Sequence, residues 1–277
     1  MRNASPLRYP GGKWRLARCF EGLVRLNYDQ PPVYVEPYAG GASLALSLLF
    51  STIVSEVYLN DLDPAIHAFW SSVLCHNDDF CRLVERVPVT PIEWRKQKEI
   101  YSRGLKAGRF ALGFATFFLN RTNHSGILNG GMIGGKKQRG EWKVDARFNR
   151  VELVRRLQKV AEFKKHIHLR CKDAVDFLRQ HKFADRTLIY LDPPYFQSGR
   201  DLYLNAYKPN DHALLRNHVV KLRCRWVVSY DDVPEIRKLY LKHVSRRVRL
   251  MHTARSAHVG KEVMFFSRTL KIPSAIQ

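Results

Sequence analysis

Thr187-Leu188-Ile189-Tyr190-Leu191-Asp192-Pro193-Pro194-Tyr195 is the stretch from which the architecture of this 277-residue chain unfolds. Its first five residues are apolar and β-rich and run into a double proline, which predicts a short buried strand. The prolines stop the strand and fix φ, holding an acceptor-rich turn rigidly at the sheet edge. One carboxylate, carbonyls outside any ladder and an aromatic ring then project together into a crevice. Such a set can grip a planar amine: oxygens accept its N–H bonds while the ring of Tyr195 stacks on it. A plain strand-to-loop turn also favours Pro and Asp, so the tetrapeptide needs its surroundings.

Outward from this strand, short apolar runs alternate with helical patterns. Val33 to Pro37 reads as a strand, Ser43 to Phe50 as a helix, Val54 to Leu59 as a strand and Pro64 to Cys75 as a helix with proline in its first turn. Ile167 to Arg170 reads as extended and Ala174 to His181 as helical. After Leu191 come helices over Asp211 to Leu222 and Pro234 to Lys242. Strands are expected over Arg225 to Tyr230, Val244 to Leu250 and Val263 to Ser267. Strands spaced by helices predict an α/β fold with a doubly wound, mostly parallel sheet.

The middle differs. Between Ile92 and Lys172 the chain carries 20 Lys/Arg against 6 Asp/Glu, a large share of the net charge of +22. Helical patterns over Pro91 to Arg103 and Lys106 to Arg121 lead into a glycine-rich run, Gly126 to Gly140, which suggests turns, a hairpin or a mobile loop. Arg121, Lys136, Lys137, Arg139 and Lys143 surround it. Residues 76–165 therefore read as an insertion into a domain made of 1–75 and 166–277, with nucleic acid as its partner. Arg121, Asn123, Lys136, Lys137 and Arg139 are its candidate contacts.

Other classes find less support. The longest apolar run, Phe110 to Leu119, is too short to span a bilayer, and the start of the chain lacks the apolar core of a signal peptide, which points to the cytoplasm. Five scattered cysteines form no C-x-x-C pair and are expected to be reduced packing residues. His166 and His168 share a strand face without a third ligand, so no metal is expected.

Four further pieces fall where a doubly wound sheet binds ligands. Glu36-Pro37-Tyr38-Ala39-Gly40-Gly41 ends the first strand in a turn that permits close backbone approach. Asp61 follows Gly40 by twenty-one residues and can accept ribose hydroxyls, while Asp63 suits an N-cap. Arg8-Tyr9-Pro10-Gly11-Gly12-Lys13 is not a phosphate loop, because Trp14 stands where Ser or Thr is required; its lysine can still clamp a ligand carboxylate. Asp173 can cap the next helix or accept from an adenine amine.

In this order the pieces resemble the Dam-type class of N6-adenine-specific DNA methyltransferases. The resemblance covers nearly the whole chain, through Arg8 to Lys13, Glu36 to Gly41, Asn60-Asp61, Phe117-Phe118-Leu119-Asn120-Arg121 and Asp192 to Tyr195. It implies a Rossmann-like methyltransferase sheet with a helical plus hairpin target-recognition insertion, and S-adenosylmethionine as methyl donor. It also implies double-stranded DNA as partner and base flipping, and leaves open whether the role is restriction–modification with a cognate restriction endonuclease, phage protection or orphan regulation. Tyr9 and Lys13, with Gly12, would hold the methionine portion of the cofactor and Asp61 its ribose. Asp173 would take its adenine, and Glu36, Pro37, Gly40 and Asp192 would line its site. Asp192, Pro193, Pro194 and Tyr195 would form the catalytic turn. The insertion departs from the class pattern: Asn123-His124-Ser125-Gly126-Ile127-Leu128 stands where many relatives carry an aromatic-Asn-Gly element. Competing readings are a methyltransferase for RNA or a protein amide, an inactive DNA-binding relative, and a nicotinamide-dependent dehydrogenase resting on the Gly40-to-Asp61 spacing alone.

Overall fold

The computed structural model describes residues 4–8, 13–181, 183–196, 207–252 and 258–274. At its centre Val33–Glu36 (β1) pairs in parallel with Thr187–Leu191 (β4), Val35 lying opposite Ile189. Outward from β1 come Glu56–Asn60 (β2) and Ile167–Arg170 (β3); outward from β4 comes Arg225–Asp231 (β5), all parallel. Ser245–His252 (β6) and His258–Phe266 (β7) close that edge as an antiparallel pair, β7 inserting between β5 and β6. The sheet order is β3-β2-β1-β4-β5-β7-β6. It is a mixed seven-stranded α/β sheet, more antiparallel at one edge than the strand–helix alternation alone suggested.

The two-residue period of the strands builds two cores. Tyr34 of β1, Leu188 and Tyr190 of β4 and Val227 of β5 face one; Val35, Ile189, Leu191 and Val228 face the other. Helices Ala17–Asn27 (α1), Ser43–Phe50 (α2) and Pro64–Cys75 (α3) cover the first face through Leu23, Leu46 and Phe69. The helices between α3 and β3 are Asn77–Arg86 (α4), Pro91–Ser102 (α5), Arg109–Thr122 (α6) and Arg150–Glu162 (α7). Phe80, Phe117 and Leu157 bring α4, α6 and α7 into that same core. Ala174–Gln180 (α8), Pro209–Val219 (α9) and Pro234–Leu239 (α10) cover the second face through Phe177, Leu215 and Ile236. The chain leaves β1 toward β2 on one side and β4 toward β5 on the other. A crevice therefore opens beyond the carboxyl ends of β1 and β4, where such sheets hold ligands.

Several expectations shift. Helix α6 starts at Arg109 rather than Lys106, because Gly108 at φ 89° breaks the pattern before it. The glycine run makes successive turns, with one isolated bridge between Asn123 and Met132 instead of a laddered hairpin. Cys81 and Cys224 are buried, but Cys75 and Cys171 are exposed and pack little. Among the described residues no helix is long and apolar enough to cross a membrane.

Helices α3 and α6 approach closely at Gly113, where a Cβ would lie 2.5 Å from the Ala68 carbonyl oxygen and 2.6 Å from Ser72 Oγ. The Ser72 hydroxyl already donates to that carbonyl at 2.7 Å, so neither atom can yield cheaply. Gly113→Val is expected to destabilise the protein by about 1–3 kcal/mol through overpacking. An unchanged urea midpoint would show that the two helices can separate at no cost.

Candidate active site

The turn after β4 is fixed from both sides of the crevice. Pro193 and Pro194 are buried, and the Phe196 amide donates to Asp231 Oδ1 at 2.9 Å, tying the turn to the end of β5. Asp192 Oδ1 accepts from the Ser229 hydroxyl at 2.8 Å, and Ser229 in turn lies 2.8 Å from the Tyr190 hydroxyl. Asp192 Oδ2 lies 2.9 Å from Lys13 Nζ. The same ammonium donates to the Tyr195 hydroxyl at 3.0 Å and sits 3.4 Å from Glu262 Oε1. Tyr195 completes the ring by donating to Glu262. Lys13 is 6% exposed and Glu262 1%, so the network is dry on its inner side, while the Asp192 side chain keeps 22% of its surface toward the crevice.

Glu36 adds a third carboxylate. It is buried at the end of β1, where Oε1 accepts from the Tyr34 hydroxyl at 3.2 Å and the Ala45 amide at 3.1 Å. Burial pushes the Glu36 carboxyl up to about 8, and the Asp192 charge nearby adds to the rise. Burial also raises Asp192, against the pull of Lys13, and Glu262 reinforces that rise. Desolvation thus outweighs the one ammonium, and the group as a whole favours an added positive charge.

The pH consequence for Glu36 has a definite sign. Its folded pKa lies above the unfolded 4.5, so its contribution is complete below about 4.5 and is lost as pH rises through about 8. Glu36→Gln keeps an acceptor for Tyr34 and Ala45 and cannot ionise. Relative to that variant, the native protein should lose about 1.4 kcal/mol between pH 7 and pH 9. Parallel stability curves in denaturant titrations would contradict the burial of a neutral carboxyl here.

Beside the turn, the glycine segment after β1 is closed by Asp61. Its Oδ2 accepts from the Gly40 amide at 2.8 Å and its Oδ1 from the Asp63 amide at 3.0 Å. Burial lifts the Asp61 carboxyl to about 6 while those amides pull it down. Gly40 takes φ 46°, and its carbonyl accepts from the Trp70 indole at 2.9 Å. Asn60 Nδ2 donates to the Pro37 and Lys172 carbonyls at 3.0 and 2.9 Å, joining the ends of β1, β2 and β3. Asp63 caps α3 through the Ala65 amide, and Asp173 caps α8 through the Val175 amide, both at 2.8 Å. Tyr38 and Tyr207 touch through their hydroxyls at 2.7 Å.

The structure therefore brings Lys13, Glu36, Asp192 and Tyr195 together, with Pro37, Gly40 and Asp61 at the neighbouring strand ends. Tyr9 and Gly12 lie outside the described residues. Lys13, expected to clamp a ligand carboxylate, here directs its buried ammonium to Asp192, Glu262 and the Tyr195 hydroxyl. Asn123 is a correction: it is fully buried. Its Nδ2 donates to the Ile127 and Leu128 carbonyls at 2.8 and 3.0 Å, and its Oδ1 accepts from the Trp94 indole at 2.6 Å. It shapes the glycine run from inside and offers nothing to a partner. Arg121 is half-buried, its Nε donating to the Arg147 carbonyl at 2.8 Å. Lys136, Lys137 and Arg139 are exposed.

Sequence reasoning missed Glu262 and Ser229. Glu262 faces the site because β7 runs antiparallel beside β5, setting it opposite Asp231, and Ser229 because β5 runs parallel beside β4, next to Asp192. A lone acid heading an apolar closing strand was the available signal for Glu262.

A family model described as D12 class N6 adenine-specific DNA methyltransferase matches residues 9–255. No curated protein matches the chain. Among solved structures, the rRNA methyltransferase aviRa from Streptomyces viridochromogenes is 15% identical, covering 96% of this chain and 89% of its own, with a TM-score of 0.43. TrmN from Thermus thermophilus is 14% identical, over 91% and 48%, with a TM-score of 0.40. Precorrin-6y C5,15-methyltransferase from Geobacter metallireducens is 10% identical, over 91% and 88%, with a TM-score of 0.38.

Proposed function

Because the chain belongs to the D12 class N6 adenine-specific DNA methyltransferase family, we propose that it transfers a methyl group from S-adenosylmethionine to the N6 amine of adenine in double-stranded DNA. The observation that carries this reading is the Asp192–Lys13–Glu262–Tyr195 network at the switch point of the sheet.

The residues suit the proposed donor. The glycine turn at Gly40 lets backbone approach a ligand closely, and Asp61 keeps free lone pairs on both oxygens for ribose hydroxyls. Two carboxylates, Asp192 and Glu262, share the single Lys13 ammonium and favour a neighbouring cation. When bound, S-adenosylmethionine supplies a methyl carbon already activated on a sulfonium.

The protein's task is then orientation. Asp192 and the Pro193 carbonyl accept the two amine hydrogens of adenine and stabilise positive charge growing on nitrogen. The proline turn cannot rotate away, because it is pinned through Phe196 and Asp231. Tyr195 stacks on the base and replaces the neighbours lost when it leaves the duplex. Ser229 holds Asp192 Oδ1, so the carboxylate meets the amine in one orientation. Residues 76–165, with their excess of basic side chains, serve as the target-recognition segment.

Incubation of the protein with labelled S-adenosylmethionine and matched DNA duplex, RNA and protein substrates tests the reading. Label recovered as N6-methyladenine from duplex DNA is the expected result. Label in RNA or protein alone would overturn it.

A further inference from the structure

Arg8, from the start of the chain, converges with Arg121, Arg147 and Arg156 of the proposed recognition segment, the four tied together through backbone groups. The Arg8 amide donates to Asn120 Oδ1 at 2.7 Å, and Asn120 Nδ2 returns a bond to the Arg8 carbonyl at 2.7 Å. Arg8 Nη1 reaches the Asn123 carbonyl at 3.3 Å. Arg121, between those two asparagines, holds the Arg147 carbonyl. Arg156 of α7 donates to the Ser5 carbonyl at 2.8 Å, three residues before Arg8. Gly126 makes this clasp possible: at φ 76° its missing Cβ would lie 2.3 Å from the Arg8 carbonyl oxygen.

The charge here is not balanced. Arg156 pairs with Glu152, which Arg155 shares. Among the described residues Arg8, Arg121 and Arg147 have no ion pair. Burial, with Arg8, Arg156 and Arg147 close by, holds the Arg121 guanidinium down at about 9. A guanidinium does not give up its proton at neutral pH, so the unfavourable energy persists as repulsion until an anion arrives. Arg147 also lies over the Trp142 ring, its Cζ 5.3 Å from the centroid, and that indole is 55% exposed. Guanidinium forks beside an open aromatic face suit a phosphodiester chain with its sugars and bases.

We infer that Arg8, Arg121, Arg147 and Arg156 form a phosphodiester-binding site that anchors the DNA backbone beside the target base, with Trp142 at its rim. This rests on the proposed action on DNA and assigns the anchoring to the arginine cluster rather than to the cations of the glycine run alone. Arg121 and Arg156 are also structural clamps, whereas Arg147 is exposed and Arg8, half-buried, holds only the Asn123 carbonyl by a long bond from Nη1.

The test is equilibrium binding of a labelled DNA duplex to the full chain over a salt series. Arg8→Gln and Arg147→Gln are compared with Lys238→Gln, which removes one exposed charge from α10. Each arginine variant should bind about tenfold more weakly and lower the slope of log K against log salt by about one, as loss of one phosphate contact requires. A parallel arm measures melting temperature with inorganic phosphate, which should stabilise the native protein more than either variant. Wild-type affinity and slope in both arginine variants would overturn the inference, as would stabilisation by phosphate with no change in DNA binding, which marks a free-anion site. Melting in the absence of anions checks that the variants fold. Methyl transfer is scored separately: native protein that binds with the expected slope but modifies no adenine defeats the proposed function and leaves this site standing.

Discussion

Asp192→Asn should lower methyl transfer to duplex DNA by a factor of about 100–1,000 and change cofactor affinity little. The substitution preserves size and leaves Oδ1 to accept from Ser229. What it removes is the acceptor at Oδ2, which now faces Lys13 at 2.9 Å. An amide NH2 in that place would confront an ammonium and a substrate amine, both donors. Loss of one donor or acceptor aimed at developing charge commonly has an effect of this size. Single-turnover transfer with labelled donor gives the rate, and calorimetric titration of the cofactor gives the affinity. A variant that turns over at the native rate would remove Asp192 from the chemistry; one that loses cofactor binding in proportion would make it a binding residue only.

Lys13→Met should have the largest effect on stability. It leaves Asp192 and Glu262 as buried carboxylates without their shared cation, and breaking a buried pair from one side costs about 3–5 kcal/mol. The sign with pH follows from the direction of the Asp192 shift. Its folded pKa is already raised by burial, and Lys13 is a group that lowers it. Removing Lys13 raises it further, so the variant recovers stability as pH falls and loses it as pH climbs through the new folded value. Urea denaturation should therefore show a much larger deficit at pH 8 than at pH 5, and adding Glu262→Gln should restore part of it. A deficit that is small and equal at the two pH values would mean that the three charges are solvated after all.

Legibility in the sequence followed how local the determining contacts are. Helices α2 and α3 and strands β3 and β4 coincide with their expected bounds, because composition and terminal residues such as Pro64 and Pro193 act within a few positions. Helix α7 went unread although Leu153, Leu157 and Val160 form its buried stripe and Asn149 caps it. Its charged face and its place after a glycine run masked the period. The insertion of β7 between β5 and β6 joins segments that nothing local distinguishes, and Glu262 was lost with it; Ser229 sat in an expected strand but its neighbour across the sheet was not legible. Asn123 misled for a different reason. A polar residue in a basic loop suggests a partner outside, but the turn at Ile127 and Leu128 needed a donor within. Asp192 and Tyr195 could be singled out because the double proline ends an apolar strand at the sheet edge and the other motifs fall at neighbouring strand ends.

The clasp between Asn120 and Arg8 bears on how portable the specificity of this protein is. Asn120 of helix α6 grips Arg8 through both its amide and its carbonyl, and Gly126 of the glycine run packs against that carbonyl. A chimera that takes residues 76–165 from another chain loses the Asn120 bonds to Arg8 unless residues 4–8 travel with the graft. Exchanging residues 76–165 alone should thus yield proteins that melt lower than chimeras in which residues 4–8 are exchanged as well.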